Sequence, residues 1–207
     1  MKYIFWDFNG TVLDDVHLCH DILTEMLEEE KRPPVSFEDY LHIFTFPVKA
    51  YYDIVYDLEK TPFDVLAHRF INRYQPRSLS CKLHDGVIET INRCHALGYR
   101  NVLLSASEKK NLLEQLEHFN ISHLFDYILG TENIYATSKV DVAKAFINEF
   151  HIDPNDILMI GDTLHDAEVA EALGCDIILY TKGHQHPLRL QKYKNIDKIS
   201  DILDKIK

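Results

Sequence analysis

Four short segments carry side chains whose types and spacing suit chemistry on an anionic ligand. In Asp7-Phe8-Asn9-Gly10-Thr11 a carboxylate ends an apolar run, where it can act as a nucleophile or bind a metal. Gly10 lets the backbone turn sharply and approach a ligand; the plainer reading is an ordinary Asn-Gly turn. In Leu103-Leu104-Ser105-Ala106-Ser107 the Ser105 hydroxyl can hydrogen-bond an anionic oxygen, helped by free N–H groups at the next helix start. Ser107 reads more simply as the cap of that helix. Lys139, preceded by Thr137 and Ser138, opens a helix and can neutralise an anion, although a lone lysine is more often merely solvated. In Gly161-Asp162-Thr163-Leu164-His165-Asp166 two carboxylates four positions apart can face one point, and oxygen ligands of that kind suit Mg²⁺. The plainer reading makes Asp162 a helix cap and Asp166 a partner of the helix dipole.

These segments need elements that bring them together. Apolar runs over Tyr3–Trp6, Asn101–Ser105, Tyr127–Leu129, Ile157–Ile160 and Ile177–Tyr180 read as buried parallel strands. Helical spacing predicts helices over Asp85–Leu97, Glu108–Phe119, Val140–Phe150, Leu164–Leu173 and Ile199–Ile206. Such alternation predicts an α/β fold with a Rossmann-like, doubly wound parallel sheet. In such sheets sites form at the carboxyl ends of strands, which is where all four segments fall. Residues 14–80 differ: they read as helices over Asp15–Glu30, Phe37–Ile43, Val48–Leu58 and Pro62–Tyr74, punctuated by prolines. The expected organisation is a core of residues 1–13 and 81–207 with a helical cap, 14–80, inserted after the first strand.

Composition narrows the function classes. The chain has 207 residues, enough for a core without disulfide staples. Its net charge of -11 repels phosphate backbones and anionic membranes, so no nucleic-acid or membrane partner is expected. One local cationic pocket can still hold a small phosphorylated molecule. Cys19, Cys81, Cys94 and Cys175 form no C-x-x-C pair, which fits reduced thiols rather than zinc or redox chemistry. No stretch approaches the roughly 20 apolar residues of a membrane helix. The first residues lack the shape of a signal peptide, so the expected location is cytoplasmic. No heptad or interface stripe indicates an oligomeric state.

The four segments, in this order and with the helical insert in this place, resemble the haloacid dehalogenase superfamily. The similarity is to its phosphoglycolate-phosphatase-like branch, also through Ala170-x-x-x-Gly174 and Gly183-His184-Gln185. The resemblance implies a hydrolase, specifically a Mg²⁺-dependent phosphatase of small phosphate esters. Asp7 would be the nucleophile that forms an aspartyl-phosphate. Ser105 and Lys139 would hold phosphoryl oxygens, with Ala106, Gly10 and Thr11 lining the phosphate site. Asp7, Asp162 and the Asn9 backbone carbonyl would bind the metal, and Asp166 would support the ion or orient Lys139.

One position departs from the family pattern. The residue two after the nucleophile is usually a second Asp that protonates the leaving alcohol, and here it is Asn9. An amide cannot exchange a proton at neutral pH. Three explanations fit: a substrate with a good leaving group such as an acyl phosphate or anhydride; rescue by a neighbour among Asp14, Asp15, His17 and His20; or a protein that binds a phosphorylated ligand without turnover. Phosphonate or halide substrates also stay open. In the cap, Lys49 is the cation expected to meet the substrate, while Phe44, Phe46, Tyr51 and Tyr52 read mainly as cap core. His184 and His186 read as loop residues.

Overall fold

The computed structural model describes residues 2–135 and 139–206; Thr137 and Ser138 lie outside them. Continuous apolar runs become buried strands because both faces of a parallel sheet are covered. Six strands form one parallel sheet: β1 (Tyr3–Trp6), β4 (Arg100–Glu108), β5 (Tyr127–Thr131), β6 (Ile157–Gly161), β7 (Asp176–Tyr180) and β8 (Asn195–Ile196). Their order is β5-β4-β1-β6-β7-β8, which places the first strand centrally between two later ones. Trp6 pairs with Leu103 on one side and with Ile160 on the other. That register lines up Asp7, Ser105 and Asp162 side by side towards the carboxyl end of the sheet.

Helices cover both faces of the sheet. Helices α5 (Val87–Ala96) and α6 (Lys109–His118), with a closing 3-10 turn over Ile199–Asp204, bury Ile91, Leu112, Leu116 and Ile202 against one side. On the other side, α7 (Val140–Glu149) and α8 (Leu164–Leu173) pack Phe146, Val169 and Leu173 on Phe5 and Met159. A short α9 (Pro187–Leu190) follows β7. The doubly wound parallel architecture is the one the apolar runs predicted.

Between β1 and α5, helices α1 (Val16–Glu29), α2 (Phe37–Ile43), α3 (Val48–Val55) and α4 (Phe63–Ser78) share a separate apolar cluster around Ile22, Met26, Tyr40, Tyr52 and Leu66. Arg69 and Arg73 of α4 reach Glu29 at the end of α1. Two two-residue strands, β2 (Leu13–Asp14) and β3 (Lys82–Leu83), pair antiparallel where the chain leaves for these helices and returns from them. That pair has no signal in the sequence, since two residues carry no periodicity.

Several boundaries differ from expectation. β4 runs on to Glu108, with its register against β5 shifting between Leu104 and Glu108, so Ser107 belongs to the strand and does not cap α6. α4 continues through Pro76, because a proline near a helix end forfeits a single backbone bond. The expected last helix is a 3-10 turn ending at Asp204, and Asn195–Ile196 adds an edge strand.

Candidate active site

Asp7 follows the last residue of β1, its N–H donating to the Ile160 carbonyl at 2.8 Å. Its Oδ1 is ion-paired with Lys139 Nζ, which also lies 2.6 Å from Asp166 Oδ1. The Lys139 ammonium donates in addition to the Leu104 carbonyl at 3.3 Å. Lys139 therefore bridges the β1 tip, the β4 tip and the first turn of α8. It is buried, as are Asp7, Asp162 and Asp166.

Asp166 owes its position to a capping box. Its Oδ2 accepts from the N–H groups of Asp162 (3.1 Å) and Thr163 (2.9 Å) and from the Thr163 hydroxyl (2.8 Å). A Cβ on Gly161 would overlap the Asp166 carboxylate, so only glycine lets the strand end pass so close. Asp162 is held by the Thr11 hydroxyl on Oδ1 (2.9 Å) and by the His184 N–H on Oδ2 (2.7 Å). Gly10 has φ +76°, and a side chain there would run into Asp162 and His184.

Three carboxylates, Asp7, Asp162 and Asp166, lie within 4.8 Å of one another around a single ammonium. Burial pushes the Asp7 carboxyl well above the usual carboxylate range against the pull of Lys139, and Asp166 and Asp162 push it further. Burial also pushes Asp162 up to about 6. For Asp166, burial is overcome by Lys139 and by the Thr163 donors, which hold it low. Burial works against the charge of Lys139, yet Asp166 and Asp7 keep it above its ordinary value. Asp166 thus takes the lysine, and Asp7 and Asp162 are left short of positive charge. An all-oxygen, buried, electron-rich set of this kind fits a hard divalent cation.

Asn9 is fixed by its side chain. Its Nδ2 donates to Asp15 Oδ2 (2.8 Å) and to the Tyr74 hydroxyl (2.6 Å). Its Oδ1 accepts from the hydroxyls of Ser107 (2.9 Å) and Ser105 (3.4 Å). Asp15, buried just before α1, accepts from the Gly10 N–H (2.9 Å), the Tyr74 hydroxyl (2.5 Å) and His184 Nε2 (3.2 Å) as well. Burial alone would raise Asp15, but His184 and these donors hold it below the usual range, while Asp15 and Asp162 raise His184 against its burial.

Above this floor lies a cavity of about 140 Å³. Its far wall is built by Phe44, Phe46, Tyr52, Phe63 and Phe70 of the helical insert and by Tyr135.

Most sequence-predicted residues converge here: Asp7, Asn9, Ala106, Lys139 and Asp166 line the cavity, with Gly10, Thr11, Ser105 and Asp162 packed beneath them. Lys49 is a correction: it sits exposed on α3 and does not line the cavity, because Tyr51 and Tyr52 occupy the buried face of that short helix. Of the four neighbours suggested as rescuers, only Asp15 reaches the floor. Asp14 is exposed, His17 stacks on Phe37 and His20 contacts the Val35 carbonyl. His184 is not a plain loop residue, since it is buried between Asp15 and the Tyr40 hydroxyl. Tyr74, within an expected helix, carries no local sequence mark as the partner of Asn9 that it is.

The family model for the haloacid dehalogenase-like hydrolases matches residues 4–180. A phosphoglycolate phosphatase of Aliivibrio fischeri is 24% identical over 196 residues, covering 90% of this chain and 86% of that protein. Another from Cereibacter sphaeroides is 25% identical over 193 residues, covering 90% and 88%. Among solved structures, a haloacid dehalogenase-like hydrolase of Streptococcus pneumoniae superposes with TM-score 0.85 at 18% identity, covering 100% of this chain and 99% of that one. CbbY from Rhodobacter sphaeroides, solved with phosphate, gives 0.76 at 15% identity, covering 98% and 96%.

Proposed function

This chain belongs to the haloacid dehalogenase-like hydrolases, and we propose that it is a Mg²⁺-dependent phosphatase of small phosphate monoesters that works through an aspartyl-phosphate on Asp7. The observation that carries this reading is Lys139, at the start of α7, bridging Asp7 after β1 and Asp166 in the first turn of α8, beside Asp162, all four buried. The curated relatives that are phosphoglycolate phosphatases support the reaction class. Residues 14–80 act as the cap in this reading, shielding the reaction from water.

An Asp7 carboxylate oxygen attacks phosphorus as the bond to the leaving oxygen breaks, and water then hydrolyses the acyl phosphate. Lys139, the Ser105 hydroxyl and the backbone around Ala106 hold the phosphoryl oxygens, offsetting charge that builds on them. Asp166 positions Lys139. Asp7, Asp162 and the Asn9 carbonyl would hold the Mg²⁺, which when bound neutralises the attacking carboxylate and the phosphoryl group. Asn9 cannot transfer a proton, so the acid–base contribution of about 10²–10⁴ in rate is weakened.

The test is hydrolysis of a panel of phosphate monoesters and acyl phosphates with and without Mg²⁺. Turnover should require both the ion and Asp7, and turnover surviving in Asp7→Ala would overturn the nucleophile assignment. A second reading, a phosphate-ligand-binding protein without turnover, draws on the four hydrogen bonds that occupy the Asn9 amide. It expects binding but no hydrolysis on the whole panel, in the native chain and in Asn9→Asp alike.

A further inference from the structure

We propose that the substrate is an aryl phosphate: a phosphate monoester whose leaving oxygen sits on a single uncharged aromatic ring, the ring lying in the aromatic wall beyond Asn9. This rests on the phosphatase reading and deepens it by naming the leaving group.

Two independent observations converge on this class. The first is the wall. Phe46, Tyr52, Phe63, Phe70 and Tyr135 line it, with Phe63 centred 5.6 Å from Tyr52 and 6.3 Å from Tyr135 in edge and tilted arrangements. Rings so placed offer faces and edges to another ring, which adds attraction beyond area burial. Among the described residues no lysine or arginine lines the cavity except Lys139, which the floor carboxylates already hold. Lys49, the cap cation expected from sequence, is outside it. The remaining imidazoles are spoken for: His184 faces Asp15, and His165 stacks on Phe46 with its Nδ1 3.3 Å from Glu168. A leaving group bearing a carboxylate or second phosphate would lose its hydration there without a counter-ion. The whole cavity, floor included, is about 140 Å³, the scale of a cavity that takes one small aromatic molecule.

The second observation is the floor at Asn9. Both its Nδ2 donations and its Oδ1 are committed to Asp15, Tyr74, Ser107 and Ser105, so it carries no proton to the leaving oxygen. When Asp7 attacks, the electron pair of the breaking P–O bond stays on that oxygen. An alkoxide, of basicity near that of hydroxide (water pKa about 15.7), needs a proton at that moment. A phenolate, with a pKa of about 10, departs as the anion and takes its proton from water afterwards. The missing proton donor and the aromatic wall thus select the same molecule by different physics.

The experiment compares phenyl phosphate, benzyl phosphate and phosphoglycolate on the full-length chain with Mg²⁺, reading kcat/KM, which reports the first P–O cleavage. Phenyl and benzyl phosphate share a ring and differ in leaving-group basicity. We expect phenyl phosphate to exceed benzyl phosphate by about 10²–10⁴ and phosphoglycolate by at least about tenfold. Asn9→Asp, if folded, should narrow the phenyl-to-benzyl ratio. A phenyl-to-benzyl ratio within threefold, or preference for phosphoglycolate, overturns the proposal while leaving the phosphatase reading intact. A binding titration with Mg²⁺, phenylphosphonate against phosphonoacetate, supplies an arm independent of turnover. Phenylphosphonate should bind at least about tenfold tighter, and the reverse order overturns the aryl pocket. If phenylphosphonate binds tighter but none of the three esters is cleaved, the pocket assignment stands and the phosphatase reading falls.

Discussion

The floor and the wall of the cavity are built on opposite principles. The floor, from the tips of β1, β4 and β6, is charged, buried and saturated with hydrogen bonds. The wall, from the helical insert and Tyr135, is aromatic and brings no lysine or arginine. A floor of that kind can stabilise a transferring group but cannot tell one organic substituent from another. In the proposed reading the wall distinguishes substituents and the floor carries out the chemistry. Asp15 joins the two, taking hydrogen bonds from Gly10 and Asn9 of the floor and from Tyr74 of α4.

The sharpest way to break this division is Asp7→Ala. We expect kcat/KM to fall by about 10⁴–10⁶, as for removal of other nucleophiles, with substrate preference set by the wall no longer measurable. A fall of less than tenfold would mean that the floor is not where the chemistry occurs. Next is Lys139→Met, which leaves Asp7 and Asp166 buried without their cation. Breaking a buried pair costs about 3–5 kcal/mol, read as a shifted urea midpoint. A change below 1 kcal/mol would show that solvent already screens the floor.

The third prediction concerns the joint. In Asn9→Asp the introduced carboxylate faces Asp15, whose Oδ2 now lies 2.8 Å from the Asn9 amide nitrogen. Two carboxylates so close cannot both ionise freely, and one is raised above its unfolded value. A carboxyl raised on folding is tolerated below the unfolded pKa and costs stability as pH rises through the folded one. The variant should therefore match the native chain near pH 4 and fall behind it towards pH 7, by about 1–3 kcal/mol for a one- to two-unit shift. Adding Asp15→Asn should flatten that pH dependence. Thermal unfolding from pH 4 to 8 reads both, and a pH-independent gap in the single variant would remove Asp15 from the joint.

The same division governs what could be read from the sequence. The floor was legible because strand tips are ordered by topology: once apolar runs are assigned to parallel strands, Asp7, Ser105 and Asp162 must meet. Lys139 was legible only through the family resemblance, since a lone lysine opening a helix reads by itself as solvated. The joint was not legible. Tyr74 lies 65 residues from Asn9 and His184 lies 169 from Asp15, and neither pairing leaves a periodic trace. Asp15 was one of four neighbours the sequence offered without a way to choose among them, and Ser107 looked like a helix cap because capping residues and site residues are the same types. Lys49 failed for a different reason. Charge in an aromatic stretch suggests a ligand contact, but which face of an eight-residue helix points inward is decided by packing, here by Tyr51 and Tyr52.

The smallest expected effect tests whether charge outside the floor matters at all. Arg73 Nη2 lies 2.6 Å from Glu29 Oε1, joining α4 to α1, with 28% and 48% of the two side chains exposed. Its geometry is as good as that of the buried Lys139–Asp166 pair, at 2.6 Å. If distance set the energy, the two would weigh equally. Water decides otherwise: exposed charges keep most of their hydration when separated, so little is lost. Arg73→Ala should cost only about 0.2–1 kcal/mol, and the loss should shrink further as salt is raised from 0.1 to 1 M, where the screening length falls from about 10 to 3 Å. A urea titration at both salt concentrations checks this. A loss matching that of Lys139→Met would mean that the insert is held together by charge rather than by the apolar cluster around Ile22, Tyr40 and Leu66, and the contrast between a charged floor and an apolar roof would have to be given up.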